Sequence, residues 1–312
     1  MNEKLAIILP CYNEEEVLPL TIERLATLTQ KLNERQVQAQ LVFVDDGSTD
    51  NTWQLIEAYC KERPNVSGVK LAHNAGHQRC LWAGMTETAE KFDAIVTIDA
   101  DLQDDENTIV DMMEQYRQGC DVVYGIRKRR NTDTFFKRFT AKMFYKVIHA
   151  ADKEMLDNHA DFRLMSQRAV KALLQYPERN IYLRGLVRTL GFKQGFVYYD
   201  RTPRTAGDTK YPMSKMAKLA VDGITSFSTA PLRFIAYIGM IISVLAFIAI
   251  IAILIEYIGD LTIEWLAITL SSLWFLGGVI LTTIGVMGLY VGRIYEETKQ
   301  RPHYILDRCV NL

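Results

Sequence analysis

Two long stretches without a charged residue occupy the last third of the 312-residue chain. Phe234–Ile255 has 22 residues and Trp265–Gly292 has 28, and neither contains Asp, Glu, Lys, Arg or His. Because a helix rises about 1.5 Å per residue, each stretch can cross a hydrocarbon core of about 30 Å. A buried core helix is the alternative, but such helices rarely run this long without a charge. The sequence therefore predicts two membrane spans, at about residues 234–255 and 266–291.

The charges around these stretches predict an orientation. The loop between them is acidic, whereas the outer flanks are basic; the basic residues are Lys210, Lys215, Lys218 and Arg233 before the first stretch and Arg293, Lys299 and Arg301 after the second. Basic flanks stay on the cytoplasmic side. We therefore expect a multi-pass membrane protein, with residues 1–212 as a cytoplasmic domain, 213–230 as a juxtamembrane amphipathic helix, 231–295 as the two spans and 296–312 as a cytoplasmic tail.

The overall composition excludes some classes of protein. The net charge of −1 argues against a nucleic-acid partner, since nucleic-acid binders are usually clearly basic. The five cysteines are scattered without a Cys-x-x-Cys pair, which is typical of a reducing compartment and not of a disulfide framework or a zinc site. These features agree with a cytoplasmic domain.

Apolar runs alternate with amphipathic segments before residue 130. The predicted strands are Lys4–Leu9, Gln40–Val44, Val66–Leu71, Asp93–Asp99 and Asp121–Ile126. The predicted helices lie near residues 14–33, 52–62, 78–91 and 105–119. This alternation indicates βαβ units, so the fold class is α/β with a largely parallel, Rossmann-like sheet and flanking helices.

The stretch Ile95–Glu106 carries the strongest chemical signal. A β-branched run ends in Asp99 and Asp101, two carboxylates one residue apart at a strand end. Hard oxygen ligands of this kind suit Mg²⁺ or Mn²⁺, which in turn bind diphosphates. An isolated Asp-x-Asp is more often an acidic turn that caps the next helix. The other strand ends favour the functional interpretation.

Polar residues follow three further predicted strands, at Tyr12–Glu14, Asp45–Asp46 and Asn74. In open α/β sheets, ligands bind at the carboxyl edge of the strands. Asp45 and Asp46 would face a nucleotide base or ribose, although a turn followed by a helix cap explains the same residues. His73 and His77 are interpreted as ordinary polar loop residues and not as metal ligands.

The second half of the domain contains basic segments. Phe side chains recur at helical spacing near residues 134–150 beside a stripe of Arg and Lys, which predicts an amphipathic helix at a membrane interface; packing of that Phe face onto the sheet is the alternative. Asp161 and Arg163 are predicted in a loop, Asn158–Ser166, before a helix near 167–175. The basic loop Pro203–Tyr211 is predicted to close over phosphates, although a linker to the membrane would look similar.

Together, the motifs resemble the family 2, GT-A glycosyltransferases that act on polyprenyl phosphates, including bacterial bactoprenol glucosyltransferases and dolichol-phosphate mannose synthase. The matching residues run, in order, through Pro10-x-Tyr12-Asn13-Glu14, Asp45-Asp46-Gly47-Ser48, Asn74-x-Gly76, Asp99-x-Asp101-Leu102-Gln103, Asp161-Phe162-Arg163-Leu164, Ala206-Gly207-x-x-Lys210, Ile224-Thr225-Ser226-Phe227-Ser228 and Gly288-x-Tyr290-x-Gly292-Arg293. The resemblance covers nearly the whole chain.

The resemblance implies roles for individual residues. It implies a Mg²⁺ or Mn²⁺ site at Asp99, Asp101 and Gln103. It implies a nucleotide-sugar pocket at Pro10, Tyr12, Glu14, Asp45, Asp46, Asn74 and Asp99. It implies catalytic roles for Asp161, Asp101 and Arg163, with Asp161 as the base, and phosphate contacts at Arg127, Arg204 and Lys210. It also implies a homotetramer. Two departures are Asp105, where proline is common, and His77–Cys80, which could reflect a different sugar.

The expected reaction is an inverting transfer of one sugar from a nucleotide sugar, UDP-glucose or UDP-N-acetylglucosamine, to undecaprenyl phosphate. A UDP-aminoarabinose-type transferase is an alternative. A processive polysaccharide synthase needs more spans and a Gln-x-x-Arg-Trp run, which is absent. A non-catalytic nucleotide-binding anchor conflicts with the intact Asp99–Gln103 run. A transporter lacks intramembrane charge. Because a phosphomonoester is already anionic at pH 7, the need for a base at Asp161 is weak.

Overall fold

The computed structural model describes residues 2–101, 103–128, 159–179, 181–200 and 265–312, together with scattered positions between 235 and 251. These residues belong to two compact units. The first contains the described residues up to 200 and residues 301–312, and the second contains the described residues from 235 to 300. The predicted interface helix near 134–150, the juxtamembrane helix 213–230, Arg204 and Lys210 lie outside the described residues.

The first unit alternates strands and helices, as the sequence predicts. Its elements in chain order are β1 (Glu3–Cys11), α1 (Leu18–Glu34), β2 (Val37–Asp45), α2 (Thr52–Glu62), β3 (Val66–Leu71), α3 (His77–Thr88), β4 (Ala94–Thr97), α4 (Thr108–Arg117), β5 (Val122–Arg127), β6 (His159–Ser166), α5 (Gln167–Leu173), α6 (Leu183–Thr189), β7 (Gln194–Tyr199) and β8 (Leu306–Val310). The predicted α2 and β3 have the observed bounds. Strand β1 continues through Pro10 to Cys11, beyond its predicted end.

The eight strands form one sheet in the order β7-β5-β6-β4-β1-β2-β3-β8. Strands β4, β1, β2 and β3 are mutually parallel, and β5 is parallel to β7. Strand β6 is antiparallel to both β4 and β5, and β8 is antiparallel to β3. The sheet is therefore mixed, and the expectation of a largely parallel sheet is correct only for its centre.

Helices cover both faces of the sheet, which explains why the central strands are apolar along their whole length. Alternate residues of β1 belong to opposite cores: Leu5 and Ile7 pack with helices α1, α2 and α4, whereas Ala6 and Ile8 pack with α3, α5 and α6. Each fully buried aliphatic side chain contributes about 1.5–3 kcal/mol. The carboxyl ends of β1 to β4 consequently meet at one rigid edge.

Strand β6 corrects the prediction of a loop at residues 158–166. The loop was predicted because Asp161 and Arg163 are charged. Both side chains are nevertheless buried, with exposed fractions of 6% and 1%. The two side chains lie on the same face, two residues apart, and pair with each other. This internal neutralisation lets a charged strand lie between β4 and β5.

Strand β8 was not predicted from the sequence. It follows the long apolar helix and adds an antiparallel edge strand to β3. The Ser67 hydroxyl donates a hydrogen bond of 2.6 Å to the carbonyl of Asn311, whose side-chain amide donates to the carbonyls of Cys60 and Val66. The predicted tail therefore completes the sheet of the first unit.

The second unit contains α7 (Trp265–Thr298), a helix of 34 residues. Among the described residues, one segment is long and apolar enough to cross a membrane, Phe275–Thr298. Large apolar side chains such as Phe275, Leu281 and Ile284 are exposed along it. The described positions between 235 and 251 are helical, but most of the first predicted span lies outside the described residues, so the two-span topology stays a prediction.

Candidate active site

The candidate site lies at the carboxyl edge of the parallel strands. The loops after β1, β2, β3 and β4 carry the polar residues that the sequence predicted there. Because β4, β1, β2 and β3 are adjacent and parallel, these loops lie next to one another. The structure thus brings together the Tyr12, Asp45, Asn74 and Asp99 segments, while their roles stay predictions.

The loops after β1 and β2 hold each other through hydrogen bonds. The backbone N–H of Asn13 donates to the Ser48 hydroxyl at 3.0 Å, and the N–H of Glu14 donates to Thr52 at 2.9 Å. In return, the Asn13 side-chain oxygen accepts the N–H of Thr49 at 2.8 Å. Asn13 adopts a left-handed backbone conformation, with a φ of +53°. Its backbone and side chain connect the two loops. The helix predicted near residues 14–33 begins later than expected, because α1 starts at Leu18, beside Pro19.

Asp45 is a buried carboxylate with one unused oxygen. Its Oδ1 accepts the N–H of Ser48 at 3.3 Å, whereas Oδ2 is buried and has no hydrogen-bond partner among the described residues. Burial raises the pKa of Asp45 above its ordinary value. Buried polar atoms are nearly always paired, so this oxygen keeps the capacity to accept a further hydrogen bond.

Asp46 supports the neighbouring loop. Its Oδ1 accepts the N–H of Ala75 at 2.7 Å, and its Oδ2 accepts the N–H of Gly76 at 3.0 Å. Gly47, at φ +67°, makes this approach possible, because a Cβ there would lie 2.6 Å from the carbonyl carbon of His73. Both carboxylate oxygens of Asp46 are therefore engaged in fixing the β3–α3 loop, while Asn74 in that loop is exposed.

Asp99 and Asp101 follow β4, as predicted. The Oδ1 of Asp101 accepts the N–H of Gln103 at 3.2 Å, which fixes the turn. Burial raises the pKa of Asp99, and the nearby carboxylates of Asp104, Asp101 and Asp161 raise it further, against the opposing effect of His77. Negative charge is thus concentrated at this loop, and a divalent cation would relieve it.

The donor set fits a divalent ion that is shared with a substrate. Within the described part of the chain, no three His, Cys, Asp or Glu side chains are grouped closely enough to hold a metal by themselves. Mg²⁺ is commonly bound through one or two carboxylates, with phosphate oxygens and water completing the shell. Asp99 and Asp101 match that pattern, and Gln103 stays a predicted ligand.

Asp161 is the centre of a charged cluster. Arg163 donates to its Oδ1, and its Oδ2 accepts from Arg184 at 3.1 Å and from the Gln78 amide at 3.2 Å. Burial raises the pKa of Asp161, but Arg184, His77 and Arg163 outweigh it and hold the pKa well below its usual range. The carboxylate is therefore a fixed anion with its oxygens occupied, which is unfavourable for a general base.

His77 links this cluster to Asp99, one of the predicted metal ligands. Its Nε2 lies 3.7 Å from Oδ1 of Asp99 and 3.6 Å from Oδ2 of Asp161. Although burial opposes it, these two carboxylates raise the pKa of His77. The interpretation of His77 as an ordinary loop residue was wrong, because Gly76 turns the chain at φ +92° and His77 begins α3, facing the site.

Arg127 ends β5 and is already paired. It donates to Asp104, with Nη2 3.1 Å from Oδ1, and the Tyr199 hydroxyl donates to the same oxygen at 2.7 Å. Asp104 is buried in the loop that carries Asp101. Through Asp104, Arg127 therefore connects the loop that carries Asp101 to strands β5 and β7. Phosphate binding by Arg127 stays a prediction.

Sequence reasoning missed Gln78 and Arg184, which both contact Asp161. Gln78 follows His77, where the chain departs from the family pattern, and that departure was the available signal. Arg184 had no such signal, since it lies 23 residues after Asp161 and reaches it only through the fold.

Similarity to known proteins identifies the class as the glycosyltransferases. The sequence profile of glycosyl transferase family 2 matches residues 6–174, and the chain belongs to that family. An uncharacterized glycosyltransferase YkoT of Bacillus subtilis is 45% identical over 97% of this chain and 91% of its own length. A prophage bactoprenol glucosyl transferase homolog of Escherichia coli is 38% identical over 98% of this chain and 99% of its own length.

A solved structure to which the chain is similar is the mannosyltransferase PcManGT of Pyrobaculum calidifontis, in complex with GDP-Man and Mn²⁺. It aligns with a TM-score of 0.48 and 13% identity over 96% of this chain and 87% of its own.

Proposed function

We propose that this protein transfers one sugar from a UDP-sugar, UDP-glucose or UDP-N-acetylglucosamine, to undecaprenyl phosphate at the cytoplasmic face of the membrane. The observation that carries the proposal is the convergence of Asp45, Asp99 and Asp101 at one sheet edge. Near full-length similarity to bactoprenol glucosyl transferases supports the lipid acceptor.

The donor nucleotide would bind across the loops after β1 and β2. The unpaired Oδ2 of Asp45 would accept an N–H of the base, and the interlocked Asn13 and Thr49 loops hold this pocket in shape. Asp46 contributes by fixing the Ala75–Gly76 backbone and not by touching the nucleotide. Tyr12, which precedes Asn13 in the same loop, is 39% exposed and would contact the base in this proposal.

The diphosphate would lie at Asp99 and Asp101. When bound there, Mg²⁺ or Mn²⁺ supplies Lewis-acid stabilisation of negative charge on the departing nucleoside diphosphate. The chain's own residues hold the loop in place, because Thr21 donates to the carbonyl of Ala100 at 2.9 Å and Arg24 pairs with Glu106. Such fixed geometry favours catalysis by positioning.

In the chemical step, a phosphate oxygen of the lipid forms a bond to the anomeric carbon while the bond from that carbon to the diphosphate breaks, with inversion. The acceptor oxygen is already anionic near neutral pH, because the second pKa of a phosphomonoester is about 6. A base is not required, which agrees with the occupied oxygens of Asp161. Asp161 instead holds Arg163 and Arg184 in the site.

A lipid acceptor requires the site to be close to a bilayer. The apolar segment Phe275–Thr298 supplies a membrane helix in this proposal, and the charge pattern of its flanks favours a cytoplasmic catalytic unit. Two spans and a homotetramer, implied by the family resemblance, belong to the same proposal.

The test is a panel of radiolabelled nucleotide sugars offered to the purified full chain with undecaprenyl phosphate and either Mg²⁺ or Mn²⁺. We expect one sugar per lipid, transfer from a UDP-sugar, loss of transfer with EDTA, and at least a 100-fold lower rate for Asp101→Asn. Asp111→Asn, on the exposed side of α4, is the matched control. A polymeric product would support a processive synthase, and transfer only from UDP-aminoarabinose would change the donor. Metal-independent transfer would overturn the role given to Asp101.

A further inference from the structure

Both backbone polar groups of Leu183, the first residue of α6, form hydrogen bonds with side chains. Its N–H donates to the side-chain oxygen of Gln78 at 3.0 Å, and its carbonyl accepts from Nη1 of Arg163 at 3.1 Å. Gln78 and Arg163 each use their other end on Asp161. The residue that follows, Arg184, is therefore placed by three side chains, one from helix α3 and two from strand β6.

The two arginines that contact Asp161 differ in exposure. Arg163 is 1% exposed, and its charge is matched by the buried Asp161. Arg184 also donates to Asp161, so two guanidinium groups share this carboxylate, and Asp99 is a further negative charge nearby. The side chain of Arg184 is 37% exposed, whereas Asp161 is 6% exposed. Of the two guanidinium groups, that of Arg184 is therefore the one that a ligand can reach.

The cluster lies beside the diphosphate-binding edge. Arg184 and His77 approach the same oxygen of Asp161, and the same Nε2 of His77 lies 3.7 Å from Asp99. Guanidinium groups recognise phosphate through their planar set of five N–H donors, of which Arg184 directs one nitrogen to Asp161. A fixed, half-exposed guanidinium at this position has the chemistry of a phosphate contact.

We propose that Arg184 binds a phosphate group of a substrate, and that Gln78 and Arg163 are positioning residues that hold it there. The inference rests on the proposed function and deepens it. Two phosphates are compatible with the geometry, the phosphomonoester of the lipid acceptor and the diphosphate of the donor. The shared chemistry is an anionic phosphate oxygen that accepts from a guanidinium group.

The experiment compares Arg184→Gln and Arg184→Lys with Arg35→Gln, an exposed arginine paired with Glu114 on another face. The Michaelis constant for undecaprenyl phosphate and the dissociation constant of UDP with Mn²⁺ are both measured on the full chain. We expect Arg184→Gln to raise one of them at least tenfold, Arg184→Lys to restore part of the affinity, and Arg35→Gln to stay within twofold of the wild type.

The Michaelis constant for undecaprenyl phosphate and the dissociation constant of UDP together identify which substrate carries the phosphate. A change confined to undecaprenyl phosphate places Arg184 on the acceptor, and a change in UDP affinity places it on the donor. If both constants stay within twofold of the wild type in Arg184→Gln, the inference is wrong. Should Arg184→Gln fail to fold, Arg184→Lys decides, because it keeps the charge but loses the planar fork; at least a threefold change is then expected and an unchanged value overturns the inference.

The positioning role of Gln78 has its own readout. Gln78→Ala should raise the same constant that Arg184→Gln raises, and the double variant should be no worse than Arg184→Gln alone, since both act through one contact. A lower melting temperature without a change in that constant would mean that Gln78 is only structural. If the wild type transfers no sugar to the lipid, the proposed function fails, while UDP binding by Arg184→Gln still tests the phosphate contact.

Discussion

Arg127 and Asp104 form a buried ion pair that joins the end of β5 to the loop of the predicted metal ligands, with Nη2 of Arg127 3.1 Å from Oδ1 of Asp104. Tyr199, at the end of β7, donates to the same carboxylate oxygen. The pair lies at the site without needing a substrate to complete it. Loss of the pair should therefore lower the stability of the fold more than it changes the catalytic step.

Replacement of Asp104 by Ala would leave Arg127 without its counter-charge. Removing one partner of a buried ion pair typically lowers the free energy of unfolding by about 3–5 kcal/mol, and we expect the lower end because Arg127 is 22% exposed. Thermal melting of the purified protein measures the effect. Asp111→Ala, an exposed carboxylate in α4, should change stability by less than about 1 kcal/mol. Equal melting temperatures for the two variants would contradict a structural role for the pair.

Asp45 should show opposite effects on stability and on binding. Burial raises its pKa, so the ionised carboxylate destabilises the fold at pH values above its unfolded pKa of about 3.9. We expect Asp45→Asn to raise the melting temperature of the ligand-free protein and to weaken UDP binding at least tenfold. Calorimetric titration with UDP and differential scanning fluorimetry measure the two effects. Unchanged UDP affinity would remove Asp45 from the nucleotide pocket.

The pH dependence of transfer should follow the acceptor and not Asp161. The pKa of Asp161 is depressed, so the stabilisation from its charge is present above about pH 3.9 and is lost only as the pH falls towards the lower folded-state pKa. The acceptor phosphate gains a proton below about pH 6. We expect kcat/KM for undecaprenyl phosphate to fall below about pH 6 in the wild type.

Asp161→Asn separates a base from a positioning residue. If Asp161 only positions Arg163 and Arg184, kcat/KM of the variant should fall below about the same pH as in the wild type. Its kcat should decrease by less than about tenfold. Loss of more than about a thousandfold, together with a shifted pH profile, would show that Asp161 acts as a base. Melting temperatures identify any part of the loss that comes from unfolding.

The C-terminal strand should be required for full stability. Asn311 bonds the carbonyls of Cys60 and Val66, and buried hydrogen bonds left unmade cost about 1–3 kcal/mol. We expect Asn311→Ala to lower the free energy of unfolding by that amount without changing the affinity for UDP, since β8 pairs with β3 at the edge of the sheet. A melting temperature equal to that of the wild type would show that the strand contributes nothing.

The central part of the fold could be predicted because its strands are apolar and their ends are polar. The first five strands, and the placement of Asp45, Asp46, Asp99 and Asp101 after them, follow from local pattern alone. Strand β6 could not be read in this way, since its two charged residues neutralise each other only once the strand lies inside the sheet. A period-2 pattern of opposite charges was the one local hint.

The missed site residues depend on contacts between distant parts of the chain. Gln78 reaches Asp161 across 83 residues, and Arg184 across 23. His77 looked like a loop residue because its carboxylate neighbours, Asp99 and Asp161, are remote in sequence. Spacing along the chain carries no information about such clusters, although the departure from the family pattern at His77 marked the place.

The edge strand β8 also bears on how the protein is made. Residues 306–310 emerge from the ribosome after the apolar helix α7, yet they pair with β3 near the beginning of the chain. An unpaired strand edge is prone to association with other chains. During synthesis, the edge of β3 must therefore stay uncovered until α7 has been translated, which makes the nascent chain vulnerable to aggregation and gives chaperones a defined segment to protect.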